Sequence, residues 1–139
     1  MTSNPAFSDI WTPRALAVLR IVTAFLFLLH GGAKILHFRH VALFDALPVM
    51  SLLGVAGLLE LVGGVLLLIG LWTRPVAFIV CGQMAVAYFM AHASQGNVLS
   101  PMINQGEAAV LYCFIFLLLA VAGAGAWSID NTRQGNVAR

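Results

Sequence analysis

Residues 49–71 read VMSLLGVAGLLELVGGVLLLIGL, an apolar run broken by a single charge, Glu60. A bilayer core takes about 20 apolar residues per helical span, so the run predicts a transmembrane helix. Three further runs of similar character predict helices over 14–36, 76–93 and 106–126. Turn chemistry separates them. His37 to Pro48 forms one loop, Trp72-Thr73-Arg74-Pro75 a tight turn, and Ser94 to Gln105 an uncharged loop rich in Asn, Gly, Ser and Pro. The expected architecture is all-α: an integral membrane four-helix bundle in up-down-up-down order with antiparallel neighbours, one domain over 1–139. Polar tails flank it, the first lying at the interface through Phe7, Ile10 and Trp11 and the last mobile.

Composition agrees with that reading. Of 139 residues, 61% are hydrophobic and 9% charged, against roughly 25% charged in a soluble domain. Seven Lys and Arg face five Asp and Glu, scattered singly, so no basic patch suggests nucleic acid. Arg14 and Arg20 as a positive region, with Leu16 to Leu29 as an apolar core, have the outline of a signal peptide, but the run continues past Gly32 without a small-x-small site, and a retained helix is expected.

Orientation follows from Lys and Arg near the span ends. Arg14, Arg20, Arg74, Arg133 and Arg139 fall on the side of both termini, and Lys34 and Arg39 on the other. The count places the termini in the cytoplasm of a bacterial cell and the protein in its inner membrane.

Ionisable groups inside a bilayer are the candidate functional residues, because each costs at least about 3 kcal/mol unless paired, protonated or hydrated. Glu60 stands near the middle of the second helix. Arg20 is its expected partner, displaced by roughly 8 Å along the axis at 1.5 Å per residue, with His30 as the competitor. Arg20, Phe27, Gly31 and Lys34 share one face of the first helix, and Gly57, Glu60 and Gly64 one face of the second. Such a pair serves equally as a structural lock that fixes register or as a ligand site. Met84, Tyr88 and His92 line the third helix at four-residue steps with Gln83 nearby, and Glu107 begins the fourth, where a carboxylate also simply suits a helix N-terminus. The candidate seam is therefore Arg20, His30, Lys34, Glu60, Tyr88, His92 and Glu107. Each has a plainer reading: packing for the histidines and Tyr88, snorkelling for Lys34.

Other chemistries lack support. His37 and His40 are the only histidines close in sequence, too few donors for a metal site. Ser51, Ser94 and Ser100 sit in no nucleophile motif, and the glycines fall in apolar helices rather than a nucleotide loop. Cys81 and Cys113 form no CxxC and read as packing residues.

The order of motifs carries a resemblance. Arg20 followed by His30-Gly31-Gly32-Ala33-Lys34, Gly57-Leu58-Leu59-Glu60 with Gly63-Gly64, Gly70-Leu71-Trp72-Thr73-Arg74, Gly106-Glu107-Ala108-Ala109 with Leu111-Tyr112, and the closing Gly123-Ala124-Gly125-Ala126-Trp127-Ser128-Ile129-Asp130 resemble the DoxX family. That resemblance implies a four-helix inner-membrane protein linked to membrane oxidoreductases, since the family is named for a component of a terminal quinol oxidase and includes a thiosulfate:quinone oxidoreductase subunit and anchors of oxidative-stress complexes. The family's recurrent polar positions map onto Arg20, Lys34, Glu60, Arg74 and Glu107.

Three roles stay open at this level. The first is a membrane subunit of a quinone-linked oxidoreductase, not catalytic alone, with no covalent cofactor and a quinone as ligand. The second is a non-enzymatic anchor or assembly factor for a redox-enzyme partner. The third is a small-solute carrier, which with four helices requires a homo-oligomer. Membrane lipid is the partner common to all three.

Overall fold

The computed structural model describes residues 6–38, 41–44 and 47–137, and every regular element among them is helical. The expectations resting on Arg39, His40 and Arg139 lie outside the described residues. Helix α1 spans Phe7–Ile35, α2 Leu52–Ile69, α3 Thr73–Ala87, α4 Glu107–Ala122 and α5 Ile129–Val137. α3 continues without a break through a π turn at Tyr88–His92 and a 3-10 turn at Ala93–Gln95. α1, α2 and the continuous 73–95 helix are each long and apolar enough to cross a membrane, and α4 is a shorter apolar helix.

Local chemistry explains where the bounds depart from expectation. α1 begins seven residues early because Asp9 in its first turn accepts a hydrogen bond from the Ala6 N–H at 3.1 Å, completing a cap. Its 29 residues extend about 43 Å, beyond a hydrocarbon core of about 30 Å. The surplus is interfacial in character: Phe7 packs on Trp11 with ring centroids 5.9 Å apart, and the Arg14 guanidinium sits 5.1 Å over the Trp11 ring. α2 starts at 52 because Ser51 caps it, accepting from the Gly54 N–H at 3.1 Å. It stops at Gly70, whose left-handed backbone (φ 67°) turns the chain. α3 starts at Thr73 because Asp130 caps it, and Pro75 is tolerated in its first turn. α4 ends four residues early at Gly123 (φ 94°). The tail expected to be mobile instead forms α5.

Glycines set how closely the helices meet. Gly31 backs onto the α2 main chain at Gly57, Glu60 and Leu61, Gly57 meets Lys34 and Ile35, and Gly64 meets Leu28. Numbers rise on α1 as they fall on α2, so the two run antiparallel. α3 and α4 pair likewise, with Arg74 near Gly123, Cys81 against Cys113, and Tyr88 against Gly106. Between them lies a core of Ala24, Phe27, Leu67, Ala77, Val80, Met84, Phe116 and Leu119. Phe25, Val62, Phe78 and Val121 point outward and stay exposed, as residues facing lipid do.

A Cβ at Gly31 would stand 2.5 Å from the Leu61 nitrogen and 2.9 Å from the Gly57 carbonyl oxygen, main-chain atoms that cannot move aside, whereas one at Gly82 meets nothing within 4 Å. Gly31→Ala is therefore expected to lower stability by about 2 kcal/mol in a detergent-unfolding titration, with Gly82→Ala unchanged or slightly more stable.

Candidate functional site

Two polar centres lie at different depths, and the structure separates the two residues that the sequence pairs. Arg20 is fully buried and does not bond Glu60. Its five N–H donors go to main-chain carbonyls: Nε to Ala124 (2.8 Å), Nη1 to Leu67 (2.6 Å) and Leu68 (2.8 Å), and Nη2 to Ala126 (3.3 Å) and Trp127 (2.8 Å). Leu67 and Leu68 lie in the last turn of α2, where Leu67 accepts only a 3-10-type bond from the Gly70 N–H at 3.1 Å and a cation meets the negative end of the dipole. They follow Glu60 by seven and eight residues, which puts Arg20 about 11 Å from it along the axis.

The rest of that end is tied to Arg20. Asp130 accepts from the Trp72 and Thr73 N–H groups, each at 2.8 Å, the Asp130 N–H donates to the Gly70 carbonyl, and the Ala126 N–H donates to the Pro13 carbonyl. Burial alone would raise the Asp130 carboxyl; the hydrogen bonds from Thr73 and Trp72, with Arg133 nearby, outweigh it and hold the group below the usual carboxylate range. Gly70 and Gly125 have positive φ and no room for a Cβ, which would fall 2.4 Å from Ser128 and 2.6 Å from the Pro13 carbonyl oxygen. A cleft of about 740 Å³ opens at this end, lined by Asp9, Thr12, Arg74, Asp130 and Arg133 among others. Exposed Trp72 also lines it, while exposed Trp11 and Trp127 line a second groove with Arg14.

The second centre is built on Glu60, 2% exposed. Its Oε1 accepts from Lys34 Nζ at 2.5 Å and from Gln83 Nε2 at 3.1 Å, and Gln83 also donates to the Ala56 carbonyl. Three helices thus meet at one carboxylate. Glu60 Oε2 and Gln83 Oε1 are buried with no partner, two acceptors aimed into the protein with nothing to accept from. His30 and Tyr112 border the cluster, their rings edge to face at 5.9 Å. His30 Nδ1 lies 2.9 Å from the Leu26 carbonyl, which only accepts, so Nδ1 carries the proton and Nε2 is left to accept or, in the imidazolium, to donate. His30 and Lys34 also line a groove of about 310 Å³ with Leu29, Ala33, Phe38, Val41 and Phe44.

The remaining residues of the predicted seam do not join this cluster. Tyr88 donates to the Val98 carbonyl at 2.5 Å and accepts from Asn104 Nδ2 at 3.2 Å, while His92 Nδ1 bonds the Asn104 carbonyl at 3.1 Å. They pin the 94–105 loop to the end of α3. Glu107 is exposed at the start of α4, beside Ser100, Met102 and Ile103. The single seam of the sequence reading is therefore three separate groups and one lone residue: Arg20 at one end, Lys34 with Glu60 and His30 in the middle, Tyr88 with His92 at the loop, and Glu107 exposed at the start of α4. Among the described residues no three His, Cys, Asp or Glu side chains converge as a metal site would require.

Sequence reasoning missed Tyr112, Asn104 and Asp130 as partners. It also missed that Cys81 and Cys113, which do pack against the core, bring their sulfurs within 3.7 Å of each other.

The chain resembles known proteins along most of its length. The model of the DoxX family matches residues 15–93. A protein of Haemophilus influenzae described as uncharacterized is 45% identical over 124 residues, covering 87% of this chain and 92% of that protein. The inner membrane protein YqjF of Escherichia coli is 30% identical over 121 residues, covering 82% and 88%. No solved structure matches significantly. On the helices, the buried charges and these matches together, the chain belongs to the DoxX family.

Proposed function

We propose that the protein is the membrane subunit of a quinone-linked oxidoreductase system, and that Lys34, Glu60, Gln83 and His30 form its quinone headgroup site. One observation carries the reading: a buried carboxylate has one oxygen saturated by Lys34 and Gln83 and the other unpartnered, next to an unpartnered amide oxygen. Buried polar groups are rarely left so. A quinone carbonyl accepts from Lys34, whose ammonium has N–H groups beyond the one given to Glu60, and the hydroxyl of the quinol donates to Glu60 Oε2. His30, with Nε2 unengaged, relays protons between the groove and the carboxylate. None of the four residues at this site carries electrons, so a partner enzyme supplies them.

In this reading α1 to α4 cross the bacterial inner membrane in up-down-up-down order as one domain, with both termini in the cytoplasm. Arg14, Arg74 and Arg133 gather at the tryptophan-rich end, and Lys34 lies toward the other. Arg20 is consumed by carbonyls and drops out of that count. At 16 residues, about 24 Å, α4 spans only if the interface dips to meet it, as the chain beyond Gly123 lets it do.

The test is organic extraction and mass spectrometry of the protein purified in mild detergent. Near-stoichiometric quinone is expected with the wild type and at most a tenth of that with folded Glu60→Gln. Equal quinone in both, or none in the wild type, overturns the assignment.

A further inference from the structure

Cys81 lies on α3 and Cys113 on α4, at facing positions on neighbouring antiparallel helices. Their sulfurs are 3.7 Å apart, in hydrogen-bond contact with either atom able to donate, and both side chains are half-buried. A disulfide needs about 2.05 Å, so the gap to close is about 1.7 Å. The two are the chain's only cysteines, so no other thiol competes for the bond.

Depth decides what can oxidise them. Cys81 follows the start of α3 by eight residues, about 12 Å, and Cys113 follows the start of α4 by six, about 9 Å. Each is well inside the apolar layer. Charged thiol reagents in water, such as glutathione disulfide, do not reach that depth. A neutral two-electron acceptor dissolved in the bilayer does.

We infer that Cys81 and Cys113 are an intramembrane dithiol that closes to a disulfide by reducing a lipid-soluble quinone. The S–H bonds break, the S–S bond forms, and the two protons and two electrons pass to the quinone oxygens, giving one quinol. The two thiols and the quinone are all neutral, and so are the disulfide and the quinol, which suits a low-dielectric site. The inference stands on the sulfur geometry and does not need a headgroup at Glu60. When closed, the bond ties α3 to α4 two residues from Gln83, which holds Glu60 from the third helix.

The experiment uses the full chain in liposomes. Reduced protein is exposed to a decyl-substituted benzoquinone or to glutathione disulfide, then unfolded, alkylated with N-ethylmaleimide and weighed intact. With the quinone, alkylatable thiols are expected to fall from two per chain to none, with a mass loss of about 2 Da and one quinol formed per chain, and dithiothreitol is expected to restore both thiols. With glutathione disulfide both thiols are expected to remain. Cys81→Ser should keep its one thiol under either treatment. Two alkylatable thiols after quinone, a quinone adduct on either sulfur, a disulfide between chains, or equal oxidation by glutathione disulfide would each overturn the inference. Repeating the quinone arm in Glu60→Gln keeps the two sites distinct: closure there is expected to be unchanged, and loss of closure overturns their independence.

Discussion

Arg20→Ala is expected to cost roughly 4–6 kcal/mol of stability, a large part of what a small domain possesses. A hydrogen bond to a charged group contributes about 1.5–3 kcal/mol, and Arg20 makes five of them to carbonyls of Leu67, Leu68, Ala124, Ala126 and Trp127. These are not additive, but all five carbonyls lose the guanidinium at once. Arg20→Lys is expected to recover less than half, because an ammonium offers three donors from one point and cannot span carbonyls from two separate segments. Unfolding titrations in mixed micelles, monitored by helicity, measure both. A destabilisation under 1 kcal/mol for Arg20→Ala would mean that the end of the bundle is held by something other than this guanidinium.

Lys34→Met is expected to be the second most damaging change, at about 3–5 kcal/mol, because it leaves a buried carboxylate without its cation. Adding Glu60→Gln in the same chain should recover most of that loss, bringing the double variant to within about 1.5 kcal/mol of wild type, since replacing both members of a buried ion pair removes the desolvation cost along with the attraction. Glu60→Gln alone should cost less than Lys34→Met alone, as Gln83 remains to bond the amide. A double-mutant cycle reads the coupling directly. Near-additive losses would show that Lys34 and Glu60 do not depend on one another.

Some of this was legible in the residues and some was not, for physical reasons. The inward position of Glu60 could be read because Gly57 and Gly64 share its face and only a helix contact uses such a face. Its partner could not, because the axial register of α1 on α2 is fixed by Gly31 seating against the Gly57 to Leu61 backbone, a fit that periodicity does not encode. That seating brings Lys34, not Arg20, to the carboxylate. The partners of Arg20 were hidden for a different reason: they are main-chain carbonyls, which every residue has and no pattern marks. The early end of α4 follows from the same demand, as the chain leaves the helix at Gly123 to deliver the carbonyls of Ala124, Ala126 and Trp127. Tyr88 and His92 do share a helix face, yet a π turn and the Asn104 contacts direct them to the loop instead of the seam.

The central claim is that the Lys34, Glu60 and Gln83 cluster binds a quinone headgroup while Arg20 only holds the fold. Calorimetric titration of purified, delipidated protein with a decyl-substituted benzoquinol tests it most directly, comparing wild type with the Lys34→Met, Glu60→Gln double variant that keeps its fold. The account predicts saturable one-site binding in the wild type and at least a tenfold weaker affinity, about 1.4 kcal/mol, in the double variant. Equal affinity in the two proteins, or no saturable binding in the wild type, would contradict it.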